Sequence, residues 1–247
     1  PRSPNTTSDI RHPTSKYALW ELTDRVGGGK LPRVELVDLA EERRIRQQTT
    51  GKRDAHLHLI GPTLERAVVH SIPKPIAVVI CYPSNPTAMV ADLEFYRDVV
   101  AFAKKHEILV LSDLAYAEVY FDDNPPPSVL QVPGAMDVTV EFTSMSKTFS
   151  MAGWRMGFAV GNERVIAALS RVKSYLDYGA FTPVQVAATA ALNGPDDCIN
   201  EMRATYKARR DAMVDSFARA GWEIPSPRAS MFAWSPIPER FRPLGSV

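Results

Sequence analysis

From Gly61 onward the chain alternates short unbroken apolar runs with longer stretches in which apolar residues recur every three or four positions. Ile76-Ala-Val-Val-Ile80 is a continuous apolar run, the pattern of a strand buried on both faces. Residues 92–106 carry Leu93, Tyr96, Val99, Val100 and Ala103 on one stripe, which predicts a helix. Further strands are predicted over 108–111, leading into Ser112-Asp113, over 138–142, and over 156–160, closed by Gly161-Asn162. Helices are predicted over 62–70, 163–172, 182–192 with Pro183 in its first turn, and 197–220. Residues 229–234 read as a single strand, and Pro236, Pro238 and Pro243 interrupt the residues beyond it.

Strands alternating with helices predict an α/β fold, a three-layer sandwich around a mostly parallel sheet. The pattern assigns residues 61–220 to that large domain and 221–247 to the start of a smaller α+β domain. Residues 1–60 are irregular, with a Gly27-Gly28-Gly29 break and a basic cluster at Arg43, Arg44 and Arg46. A short helix at 34–47 has Leu36, Leu39 and Ala40 at helical spacing, too thin an apolar face for a domain of its own. In open parallel sheets functional loops gather at the carboxyl ends of strands. Asn85, Asp113 and the segment around Lys147 all fall there.

The 247 residues, 45% hydrophobic and 23% charged, fit a globular chain with a substantial core. A net charge of +1 makes no case for a nucleic-acid surface or a polybasic membrane anchor. No apolar run approaches the length of a membrane span. Cys81 and Cys198 form neither a disulfide framework nor a metal-binding spacing, so no metal is expected and a reducing, cytoplasmic home is. The opening Pro1-Arg-Ser-Pro-Asn has no apolar signal core and no initiator methionine, and the expectation is that residues are missing before it.

The densest candidate chemistry is Ser144-Met-Ser-Lys-Thr-Phe-Ser-Met-Ala-Gly-Trp-Arg155. A lysine amine condenses with aldehydes, and an arginine fork with neighbouring hydroxyls suits a phosphate. An aldehyde cofactor such as pyridoxal 5'-phosphate needs an amine, an anion for its ring nitrogen, a donor for its ring oxygen and a phosphate cup. Lys147, Asp113, Asn85 with Tyr116, and Ser144 with Arg155 are of the right types. Singly, each has a plainer reading. Lys147 suits a solvated loop, Asp113 a helix cap, Asn85 an Asx turn, Tyr116 core packing and Arg155 a surface ion pair.

Ser84-Asn-Pro-Thr87, Asp113-Leu-Ala-Tyr116, Ser144 to Lys147 and Met151-Ala-Gly-Trp-Arg-Met-Gly157 together resemble the class I/II aminotransferases, fold type I pyridoxal-phosphate enzymes. The resemblance runs from about Gly61 to Val247. It implies that Lys147 bonds the cofactor's aldehyde and is the catalytic residue, with Asp113 on the ring nitrogen and Asn85 and Tyr116 on the ring oxygen. It implies phosphate binding by Ser144 and Arg155, with Ser146 beside the lysine. Lys173-Ser-Tyr-Leu-Asp-Tyr-Gly-Ala-Phe-Thr-Pro183 and Pro227-Arg-Ala-Ser-Met-Phe-Ala-Trp234 are similar to the branch holding alanine–pyruvate/glutamate transaminases and LL-diaminopimelate aminotransferases. The branch implies amino-group transfer between an amino acid and a 2-oxo acid, with alanine- or glutamate-type substrates favoured and a homodimer as the assembly. A carbon–sulfur lyase using the same residues, or a catalytically inactive fragment, remains open. Residues 1–60 reproduce neither the family's glycine-containing phosphate loop nor its ring-stacking aromatic residue, and its substrate-carboxylate arginine falls beyond Val247. A fragment, a deletion or a shifted reading frame is therefore expected.

Overall fold

Four strands and six α-helices build the described part of the molecule, which in this computed structural model is residues 64–244. The expected irregular segment 1–60, its 34–47 helix and the triple glycine lie outside the described residues. In chain order the elements are α1 (Glu65–His70), β1 (Ala77–Cys81), α2 (Leu93–His106), β2 (Leu109–Asp113), β3 (Thr139–Ser144), α3 (Met145–Thr148), β4 (Gly157–Gly161), α4 (Glu163–Leu176), α5 (Thr182–Asn193) and α6 (Asp197–Arg219). Short 3-10 turns lie at Val129–Gln131, Ala135–Asp137, Ala152–Trp154 and Glu239–Leu244.

The sheet order is β1-β2-β3-β4. β1, β2 and β3 run parallel, with Cys81 opposite Asp113 and Ser112 opposite Glu141. β4 runs antiparallel to β3, pairing Gly157 with Ser144, so the sheet is mixed although mostly parallel. Alternation sets the two faces of each strand. Val78, Ile80 and Val110 point into a core closed by Phe95, Tyr96, Val99, Val100, Phe102 and Ala103 of α2. α2 begins where the Asp92 carboxylate accepts from the Phe95 amide at 2.8 Å, and Lys104, Lys105 and His106 fill its last turn, favourable at the negative end of a helix.

Two further apolar clusters fix the outer helices. Met145, Met156, Ala180 and Ala188 pack α3, the segment before β4 and α5 together. Tyr116, Val119 and Phe121 pack on Ile199 and Met202 of α6. The predicted strand at 229–234 does not form. Among the described residues only a single antiparallel bridge joins Ala229 to Tyr120. Ser230 takes a left-handed φ of 71°, which turns the chain away after two backbone hydrogen bonds to the 119–121 segment. Among the described residues no helix is long and apolar enough to cross a membrane, and Cys81 and Cys198 are free thiols.

Candidate active site

The carboxyl ends of β1, β2 and β3 lie side by side, and the singled-out residues extend from them. Asp113 is the last residue of β2 and is exposed; its Oδ1 accepts from the Ala115 amide at 3.1 Å, which turns the chain out of the sheet. Asn85, also exposed, stands four residues past β1 in a turn where the Ser84 carbonyl accepts from the Ala88 amide at 2.8 Å. β3 ends at Ser144, whose Oγ accepts from the Ser146 amide at 3.1 Å and caps the single turn α3. Lys147 lies in that turn, half-buried, with Nζ 5.7 Å from the centroid of the Tyr116 ring. That is within the range of a cation–π contact.

Arg155 is exposed and adopts a left-handed φ of 52°; one guanidinium nitrogen donates to the Ala152 carbonyl at 3.0 Å. Gly157 comes next but one, at the start of β4. A Cβ there would stand 2.7 Å from the Thr143 carbonyl oxygen, so only glycine lets β4 approach β3 beside the site.

A cavity of about 360 Å³ opens among these strand ends. Asp113, Ser144, Ser146 and Arg155 form its polar wall, and Val79, Leu111 and Phe142 of three adjacent strands are among its apolar residues. Four of the expected site residues therefore share one cavity. Asn85, Tyr116 and Lys147 are not among its lining residues, although Lys147 is one residue past Ser146. The apolar floor escaped the sequence pattern; every second residue of a strand that ends at a site residue was its available signal.

Burial is the main cause that pushes the Tyr116 phenol above its ordinary pKa, with the Asp113 carboxylate the next contributor. Burial likewise raises the Cys81 thiol, which sits across the strand pair from Asp113 and points its Sγ at the Pro83 carbonyl, 3.9 Å away. On the opposite face of the sheet, Glu141 is buried and accepts hydrogen bonds from Ser128 Oγ at 2.6 Å, Ser112 Oγ at 3.2 Å and the Val129 amide at 3.2 Å. Its carboxyl too is raised by burial, the three donors offsetting part of that.

The sequence model of "Aminotransferase class I and II" matches residues 48–242. The chain belongs to that family. The family match begins thirteen residues ahead of the Gly61 onset expected from motifs, so part of the irregular segment is family sequence as well. Among relatives of this aminotransferase-family chain, AatC of Rhizobium meliloti (strain 1021), named as an aminotransferase, is 75% identical over 186 residues, 75% of this chain and 46% of AatC. The glutamate-pyruvate aminotransferase AlaC of Escherichia coli K12 is 51% identical over 184 residues, 74% of this chain and 45% of AlaC. An LL-diaminopimelate aminotransferase of Gloeobacter violaceus is 48% identical over 160 residues, 65% of this chain and 41% of that protein. Substrate-bound BacF of Bacillus subtilis superposes with a TM-score of 0.65 at 39% identity, over 68% of this chain and 43% of BacF. The expected branch is thus the observed one, and the chain spans just under half the length of the curated relatives it matches.

Proposed function

We propose that this chain carries the cofactor-binding half of a pyridoxal-phosphate-dependent aminotransferase, moving an amino group between an amino acid and a 2-oxo acid. The observation that carries the reading is the shared cavity: an acid at the end of β2, two hydroxyls at and just past the end of β3, and the guanidinium of Arg155 just before β4 line it together, with Lys147 in the same helical turn as Ser146. That donor set fits the cofactor. Arg155, Ser144 and Ser146 suit a phosphate, and Asp113 suits a protonated ring nitrogen.

When bound, pyridoxal phosphate supplies an electron-withdrawing ring that takes up the electron pair released at the amino acid's α-carbon. The protein's own residues do the rest. Lys147 Nζ makes the covalent attachment, and once released it takes up the α-proton and gives one back. Asp113 holds a negative charge in place before any reaction begins, so no reorganisation is needed as charge develops. The Tyr116 hydroxyl and Asn85 orient the ring through its oxygen.

Glutamate–pyruvate exchange is named for AlaC, and alanine- and glutamate-type substrates are the ones we assign here. Residues 221–247 begin a second, smaller domain. A homodimer is the assembly we assign, and exposed Tyr175, Leu176, Tyr178 and Phe181 offer apolar surface of the kind an interface covers. The two free thiols accord with a reducing cytoplasm.

The test is the absorbance of the purified chain with pyridoxal phosphate, borohydride reduction and peptide mass mapping. The expected result is a visible band and label on the peptide holding Lys147, both lost in Lys147→Ala. Label scattered over surface lysines would overturn the reading. With cofactor fixed, consumption of alanine should be matched by a new amino acid; release of ammonia instead would mean elimination.

A further inference from the structure

The turn that carries Tyr116 is held by α6 and by residues 228–230 more than by the sheet. Beyond Asp113 the Leu114 amide donates to the Phe142 carbonyl at 2.8 Å, a last rung to β3. The chain then closes on itself, the Val119 amide donating to the Tyr116 carbonyl at 3.1 Å.

Arg203 of α6 turns its guanidinium onto this segment. Nε donates to the Glu118 carbonyl at 2.9 Å, one terminal nitrogen donates to the Glu118 carboxylate, and the other to Asn200 Oδ1 at 3.1 Å. The same guanidinium lies 4.1 Å from the centroid of the Tyr120 ring. Two helical turns on, Arg210 does likewise at the far end. It donates to the Asp122 carboxylate at 2.7 and 3.3 Å and to the Pro227 carbonyl at 3.1 Å, and stands 4.7 Å from the Phe121 ring centroid. On the other edge the Phe121 amide donates to the Arg228 carbonyl at 3.0 Å and the Ser230 amide to the Val119 carbonyl at 2.6 Å. Tyr116 itself meets Phe232 edge-on, 5.5 Å between ring centres.

A single partly exposed ion pair contributes little to stability. Arg203 is different in kind, because a backbone carbonyl, a carboxylate and an aromatic face converge on one planar fork, all within four residues of Tyr116. We propose that Arg203 is a positioning residue: it fixes the 116–120 turn against α6 and so sets where the Tyr116 hydroxyl and ring stand relative to Lys147. This rests on the reading of Tyr116 as a contact of the cofactor ring. Lysine cannot replace the fork, since its ammonium is a single charged point without the paired planar donors.

The experiment uses the full chain, with Arg203→Met, Arg203→Lys, Tyr116→Phe and the double variant Arg203→Met/Tyr116→Phe. Without cofactor, hydrogen exchange is followed on peptides covering 114–121. With pyridoxal phosphate, the dissociation constant is measured. Arg203→Met should speed exchange across 114–121 and weaken cofactor binding about tenfold, with Arg203→Lys restoring only part of both. In the Tyr116→Phe background, Arg203→Met should add no further loss. Unchanged exchange at 114–121, or losses that add in the double variant, would overturn the proposal. A parent chain that takes up no cofactor at Lys147 would defeat the reading of the site, while the exchange result would still decide for or against Arg203.

Discussion

α2 and α4 are both fourteen residues long, both come after a strand or its loop, and both start from a side-chain cap: Asp92 accepts from the Phe95 amide, Asn162 from the Val165 amide. Their fates differ. α2 buries Phe95, Tyr96, Val99, Val100, Phe102 and Ala103 against the sheet. The one buried residue of α4 is Lys173, its ammonium bonded to Asp177 at 2.6 Å, while Tyr175 and Leu176 are 76% and 72% exposed. Capping and an apolar stripe make both segments helical, but burial depends on what the rest of the described chain places beside them. Ion pairing to Lys173 holds the Asp177 carboxyl below its usual range, a local device that finishes the helix without a core.

Three sets of substitutions sharpen that contrast. Tyr96, 1% exposed, fills the space between α2 and the sheet. Tyr96→Ala should cost about 3–5 kcal/mol in urea unfolding, the range for emptying a large aromatic site in a core. A loss under about 1 kcal/mol would mean that the α2 core is loosely packed around that ring. Next come the caps. Asp92→Ala and Asn162→Ala should each cost about 1 kcal/mol despite the unequal burial of their helices, because each leaves a first-turn amide without its side-chain acceptor. A large excess at Asp92 would tie capping to the core beneath it. The smallest effect belongs to Tyr175→Ser, within about 0.5 kcal/mol. Light scattering should show weaker self-association for that variant, and a midpoint shift as large as Tyr96→Ala gives would erase the contrast.

Much of this was readable from residue order. The runs expected at 76–80, 108–111 and 138–142 each emerged as a strand shifted by one or two residues, because pairing continues into Cys81, into Ser112 and Asp113, and into Thr143 and Ser144, which apolar counting leaves out. The antiparallel direction of β4 was not readable, since direction depends on where the Ala152–Trp154 turn sends the chain. The helix predicted over 163–172 runs on to Leu176, through the buried Lys173 and the exposed Tyr175 and Leu176. The failed strand at 229–234 shows the reverse error: apolar residues with β preference find only one bridging partner among the described residues.

The site divides the same way. Strand-end position put Asp113, Ser144 and Arg155 in one neighbourhood, and the cavity joins them. The approach of Lys147 to the Tyr116 ring, and the grip of Arg203 on Glu118, join residues far apart in the chain and needed the fold. Glu141 was passed over as part of a β-rich run, although a carboxylate inside a strand was itself the signal that a polar bracket waited on the buried face.

The antiparallel pairing of β3 with β4 has a kinetic consequence. Ser144 and Gly157 pair across a short loop, whereas Ala77 and Leu109, or Val110 and Thr139, must close much longer stretches of chain before parallel pairing begins. Short loops lose less entropy on closing and form sooner. Of the three strand pairings in the described sheet, the one closed by the loop bearing Lys147 and Arg155 joins its ends across the fewest residues. Lys147 and Arg155 thus sit on the sheet connection that costs the least entropy to close.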